Sequence, residues 1–192
     1  KRPKSGKVFE AFEEAANTTG LDVCTDVDMA EAEATAERIR NHDDLPAKGD
    51  RPARRGAGPI VCHPELRVEV SRTFEWPGTG LLCKMRADAE TPELTADIKC
   101  WGRPLMTPRQ LWAAAYSMGY ETKAAWYKDG RRLSGGADVP FVLIFAQTVP
   151  PYEIAVLECR DDGYLEMGRQ TIELGLARLI ECSASRYWPG CM

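Results

Sequence analysis

The chain has 192 residues, 44% of them hydrophobic and 28% charged, with a formal net charge of −4. That length supports one domain with a real core, and the acidic balance excludes a uniformly basic nucleic-acid coat while leaving room for a local basic groove. No apolar run is long enough to span a membrane, and no apolar segment lies behind the start Lys1-Arg2-Pro3-Lys4, so no signal peptide and a cytoplasmic setting are expected.

Because the first residue is not Met, further sequence upstream is also expected. Val8, Phe9, Phe12, Ala15 and Ala16 recur at helical spacing and predict a short helix over 6–17. Leu21 to Cys24 reads as a brief extended link. Thr25-Asp26 then caps a second helix from Val27 to about Asn41, with Met29, Ala32, Ala36 and Ile39 on one side. Residues 43–59 are rich in Pro and Gly, with Lys48, Arg51, Arg54 and Arg55 interspersed, and predict a loop. Such a loop suits a phosphate backbone as well as plain solvent.

Three strands follow. Val68 and Val70 alternate with polar residues in Leu66–Trp76, Pro77-Gly78 turns the chain, and Leu81–Ala89 returns. A turn at Thr91-Pro92-Glu93 leads to Thr95–Cys100, completing an antiparallel meander. Thr107-Pro108-Arg109-Gln110 starts a helix with a cap, a proline at the first position and a capping glutamine. That helix carries Leu111, Trp112, Ala115 and Met118 and breaks near Gly119. The next segment runs from Tyr120 to Tyr127 and ends at Asp129-Gly130, with Lys123 and Tyr127 sharing a face. The run Val139–Ala146 is too apolar for a half-exposed strand, so it belongs at the centre of a sheet. Pro150-Pro151 turns into a hairpin partner, Tyr152–Cys159. A last helix spans about Asp162 to Ser183, with a stripe of Leu165, Ile172, Leu176, Leu179 and Ile180.

The seven cysteines are odd in number and contain no Cys-x-x-Cys pair, which favours reduced thiols. Only His42 and His63 are available, so neither a zinc site nor a histidine-based nucleophilic site is supported.

The chemistry concentrates between Leu81 and Cys100. Residues i and i+2 of a strand share a face, so Asp97 and Lys99 project together. Asp88, nine positions before Asp97, ends the preceding strand and meets it across the turn. Two carboxylates suit a magnesium ion, and a neighbouring lysine suits a water or the charge on a phosphorane. A solvated strand face accounts for the same tripeptide. Glu69 lies on the same sheet, either joining the site or standing exposed. The predicted fold class is α/β (α+β), a central mixed sheet flanked by helices.

From Glu69 to Gly190 the chain resembles the PD-(D/E)XK nuclease superfamily, and within it the phage and prophage exonucleases of the exodeoxyribonuclease VIII (RecE) type. The resemblance rests on Glu69, Arg86-Ala87-Asp88, Asp97-Ile98-Lys99, Gly119-Tyr120 through Ala124-Ala125-Trp126-Tyr127, Pro150-Pro151-Tyr152 and Trp188-Pro189-Gly190, in that order. It implies a restriction-endonuclease-like core over 61–192, preceded by a helical region and basic loop over 1–60. It further implies a Mg2+- or Mn2+-dependent exonuclease acting on linear double-stranded DNA in phage-type recombination. A homo-oligomeric ring and a single-strand annealing protein are the implied assembly and partner. By position, Asp88, Asp97 and the Ile98 carbonyl would hold the metal, Lys99 would be the catalytic lysine, and Glu69 would sit at the edge of the site. Lys123, Tyr127, Tyr120 and Arg86 would line the DNA side. Lys123 stands where the family has a glutamine, and the family's gly-x-x-x-his helix has no match. These departures leave a second reading, a catalytically silent nuclease-fold module that binds DNA or protein.

Overall fold

The computed structural model describes Thr18 and residues 25–47, 53–104, 107–160 and 163–189. The expected helix over 6–17 and the link over 21–24 lie outside the described residues.

The first helix, α1 (Asp26–Arg40), begins at a capping box in which the Thr25 hydroxyl accepts from the Asp28 N–H and Asp28 accepts from the Thr25 N–H. Of the side drawn through Met29, Ala32, Ala36 and Ile39, the first two are exposed and the last two half-buried, with Thr35 the buried position. Among the described residues its buried and half-buried positions, Glu31, Ala34, Thr35, Ala36 and Ile39, begin mid-helix.

The stretch after α1 is tied down rather than loose. His42 Nδ1 accepts from the Ala57 N–H at 3.0 Å, and Asp44 accepts from the Gly56 N–H at 2.7 Å. Leu45 and Arg54 exchange backbone hydrogen bonds, and a helical turn, α2 (Gly58–Val61), follows. A Cβ on Gly56 or Gly58 would overlap carbonyl groups of the 40–43 segment, so only glycine permits this approach.

Five strands form one mixed sheet in the order β1 (Arg67–Glu75), β2 (Leu82–Glu90), β3 (Thr95–Trp101), β4 (Phe141–Gln147) and β5 (Ile154–Cys159). The β1–β2, β2–β3 and β4–β5 pairs are antiparallel and β3–β4 is parallel. Every residue of β4 is buried, as its unbroken apolar run demands. Phe141, Leu143 and Phe145 face a core shared with the later helices, while Val142 and Ile144 face Ala57, Ile60 and Ile39. Helices therefore cover both faces of the sheet.

On the first face lie α3 (Pro108–Ser117), α4 (Tyr120–Leu133) and α5 (Tyr164–Ser185). Thr107 and Gln110 form the expected capping box, and Gly119 carries a φ of 68° between α3 and α4. Met118, expected in the α3 stripe, is exposed. Two further expectations are corrected. The helix after Gly119 does not end at Asp129-Gly130: Gly130 sits where a Cβ would strike Phe74 and Met85, and Asp129 binds Arg169 of α5, so packing carries the helix on. On α5, Leu179 and Ile180 are exposed, and the buried line runs Leu165, Gly168, Ile172, Leu176 and Cys182. The helix packs on α4, where a Cβ on Gly168 would overlap the Glu121 carbonyl, so the line through Gly168 and not the stripe through Leu179 and Ile180 turns inward.

Candidate functional site

The sheet opens where the two aspartates stand. β2 and β3 pair only at Glu90–Thr95 and Ala89–Ala96, so the next rung would join Asp88 to Asp97. There the ladder stops, and Asp88 Oδ2 accepts the Ile98 N–H at 2.8 Å. A side chain thus replaces the backbone partner that the strand has lost. On the other side of β2, pairs Val68–Ala89 and Val70–Ala87 bracket Glu69, which therefore lies across from Asp88. Glu69, Asp88 and Asp97 occupy one row across three strands.

Asp97 is 1% exposed, and its carboxylate is shared by two ammonium groups: Lys99 Nζ pairs with Oδ2 and Lys123 Nζ with Oδ1. Lys99 comes from the same strand face, as period-two spacing predicts; Lys123 comes from α4. Each lysine also rests on an aromatic face, Lys99 at 4.9 Å from the Tyr120 ring centre and Lys123 at 5.1 Å from that of Tyr127. The rings are backed by β4, Tyr120 against Phe145 and Tyr127 stacked on Phe141.

These positions set the charges. Burial pushes the Asp88 carboxyl above its ordinary value; the Ile98 N–H pulls it back and the nearby Asp97 charge pushes it up again. Burial lowers the Lys99 ammonium, with Asp97 opposing and Lys123 adding to the fall. For Lys123 burial also pulls down, but the Asp97 carboxylate outweighs it and the group is raised. Burial raises both Tyr120 and Tyr127, keeping them neutral phenols.

Of the residues singled out from the sequence, Asp88, Asp97, Ile98, Lys99, Tyr120, Lys123 and Tyr127 converge on this spot. Glu69 and Arg86 do not point into it: they form an exposed ion pair with each other. Glu69 has a φ of 54°, which turns its side chain out of the regular row. Neither histidine joins the cluster; His42 and His63 each accept a nearby backbone N–H.

Sequence reasoning missed the group that holds the site's hairpin in place. Arg131 is 6% exposed and donates to the carbonyls of Thr91 and Leu94, both at 2.8 Å, and to the Thr95 hydroxyl. It clamps the turn between the two aspartate strands. The signal was present, because Lys123, Tyr127 and Arg131 recur every four residues on one helix face.

Among the described residues no three of His, Cys, Asp and Glu group around a point that a metal ion would take. The donors present are two carboxylates and the carbonyl of Ile98, all hard oxygens of the kind magnesium takes while keeping several waters. The Asp97 carboxylate draws two ammonium groups to itself. By donor chemistry the set fits a divalent cation; Lys123 rests on one of the same oxygens.

The family of PDDEXK-like domains of unknown function (DUF3799) matches residues 69–191. No curated protein matches the chain. A crystal structure of a candidate exonuclease from Eubacterium rectale superposes with a TM-score of 0.65 at 16% identity, covering 94% of this chain and 64% of that one. At that identity the likeness is one of fold, and the chain spans less than two thirds of that protein's length. The crystal structure of SSO0001 gives a TM-score of 0.35 at 18% identity over 59% of this chain and 52% of that one, too slight to support an argument.

Proposed function

We propose, for a chain that belongs to the family of PDDEXK-like domains of unknown function, that it hydrolyses phosphodiester bonds of linear double-stranded DNA as a metal-dependent exonuclease. The observation that carries this reading is the approach of Asp88 to Asp97 where the β2–β3 ladder has opened, with Lys99 on the Asp97 carboxylate.

In this reading Asp88, Asp97 and the Ile98 carbonyl hold a Mg2+ or Mn2+ ion, which when bound polarises a phosphate oxygen and eases deprotonation of a water. The protein's own groups do the rest. Asp97, sunk in the sheet, orients the Lys99 ammonium, and Tyr120 limits its swing. Lys99 then donates to the attacking water or to the phosphate oxygen that gains charge. A new P–O bond forms from the water, the bond to the leaving oxygen breaks, and that oxygen takes up a proton. Lys123 and Tyr127 line the approach and contact the backbone phosphates, with charge attraction supplying most of the affinity. Arg86 and Glu69, exposed and paired, lie at the rim. The phage-type recombination role, the annealing-protein partner and a ring of copies around DNA extend this reading and rest on the sequence resemblance.

The test is digestion of linear against covalently closed circular duplex DNA with Mg2+, using Asp97→Ala as control. Loss of the linear form alone, absent in the variant, is the expected result. Cutting of the circle would replace the exonuclease reading with an endonuclease one. A specific observation favours a second reading: both oxygens of Asp97 are already paired with ammonium groups. A catalytically silent DNA-binding module would bind duplex in a salt-dependent way and release no nucleotide with either metal.

A further inference from the structure

Lys99 and Lys123 reach Asp97 from different elements and divide its carboxylate between them, one on each oxygen. Lys99 stands two residues on in the same strand, its side chain 17% exposed and its ammonium over the Tyr120 ring. Lys123 stands on α4 with its side chain 32% exposed, at the open end of the site. Its only acidic partner among the described ion pairs is Asp97; its ammonium also lies beside that of Lys99 and over the Tyr127 ring at 5.1 Å. A cation–π contact with an exposed flank is readily exchanged for an anion from solution. Lys123 is thus a tethered positive charge on one of the two Asp97 oxygens open to a divalent ion.

We propose that Lys123 is a stand-in cation that holds Asp97 in the DNA-free protein and keeps divalent metal out until a DNA phosphate draws its ammonium away. This rests on the metal-dependent nuclease reading above and adds to it that metal and DNA load together. Two like charges cannot share one carboxylate oxygen at contact distance without strong repulsion. The ammonium therefore competes with the ion while it sits on Asp97 and favours it once it sits on phosphate. By linkage, whatever DNA does to the affinity for metal, metal must do to the affinity for DNA. The arrangement withholds the hydrolytic centre from water and from small phosphate esters, and completes it on a polymer long enough to engage α4.

The test is Mn2+ binding followed by electron paramagnetic resonance, with the full chain, with and without a linear duplex carrying phosphorothioate linkages that resist hydrolysis. The wild type is compared with Lys123→Gln and Lys123→Met; the second offers no donor of its own. Circular dichroism checks that each variant is folded. Without DNA, both variants are expected to bind Mn2+ about tenfold more tightly than the wild type, within the usual span of coupling between sites. Adding duplex should tighten Mn2+ binding in the wild type by a similar factor and in the variants by much less. Equal DNA-free affinity in all three proteins, abolished by Asp97→Asn, would overturn the gate while leaving the metal centre intact. Absence of Mn2+ binding in folded Lys123→Gln and Lys123→Met would also overturn it. Digestion of linear DNA by the wild type then decides whether the nuclease reading falls with it.

Discussion

Asp88 and Ile98 are joined across the gap between β2 and β3, the Asp88 carboxylate accepting the Ile98 N–H at 2.8 Å. The bond makes Asp88 both a charged member of the site and the structural partner of a backbone group that the sheet no longer satisfies. Asp88→Ala should strand that N–H and destabilise the protein by about 1–3 kcal/mol. Asp88→Asn keeps an oxygen acceptor and should stay close to the wild type in urea unfolding while losing cleavage of linear duplex. Equal destabilisation by Asn and Ala would show that the hydrogen bond needs the charge.

Arg131 carries the hairpin that places the aspartates. Replacing it with Met leaves the carbonyls of Thr91 and Leu94 and the Thr95 hydroxyl without their buried donor. The expected cost is about 3 kcal/mol. Amide exchange in the 91–95 turn should accelerate ahead of the rest of the sheet. A uniform rise across all strands would mean that Arg131 supports the fold at large and not this turn.

Gly168 is where α5 presses on α4. A Cβ there would overlap the Glu121 carbonyl and touch the Ala125 methyl. Gly168→Ala should lower stability by roughly 1–3 kcal/mol through overpacking. Because Tyr120 and Lys123 lie on the same turns of α4, cleavage should fall further than the loss of folded protein explains. A wild-type specific activity in the folded fraction would show that the helix pair absorbs the strain away from the site.

His42 should make stability pH-dependent. Burial, then the Arg38 charge, hold its imidazole below the ordinary value. Its Nδ1 accepts the Ala57 N–H, which only the neutral ring can do. A depressed value in the folded state means that the contribution is fully present above an unfolded pKa of about 6.5 and is lost as the pH falls through the folded value. The urea midpoint should therefore drop from neutral toward mildly acid pH. Much of that drop should vanish in His42→Gln, which keeps an acceptor that does not titrate. Parallel pH profiles for the two proteins would assign the drop to other groups.

Short-range order was legible in the residues themselves. The apolar run through Phe141–Gln147 required a strand buried on both faces, and β4 is one. Asp97 and Lys99 had to share a face, and the capping boxes at Thr25 and Thr107 had to start helices, because those relations depend only on backbone period and nearest neighbours. Even the convergence of Asp88 on Asp97 was implied by a short turn between two strands.

What lies between elements was decided by packing. Whether β2 and β3 stay paired at Asp88 depends on how the sheet curves, and the choice moved a carboxylate onto the Ile98 N–H. Glu69 shares the row but its backbone turns it to Arg86, which no period predicts. The rotation of α4 about its axis, set by Gly130 against Phe74 and by Gly168 against Glu121, aims Lys123 at Asp97 and Arg131 at the hairpin. Leu179 and Ile180 belonged to a faultless helical stripe, yet they are exposed, because the close approach of Gly168 to α4 turns another line of the helix inward. Periodicity reports which side chains share a face; only the assembled layers determine what that face meets.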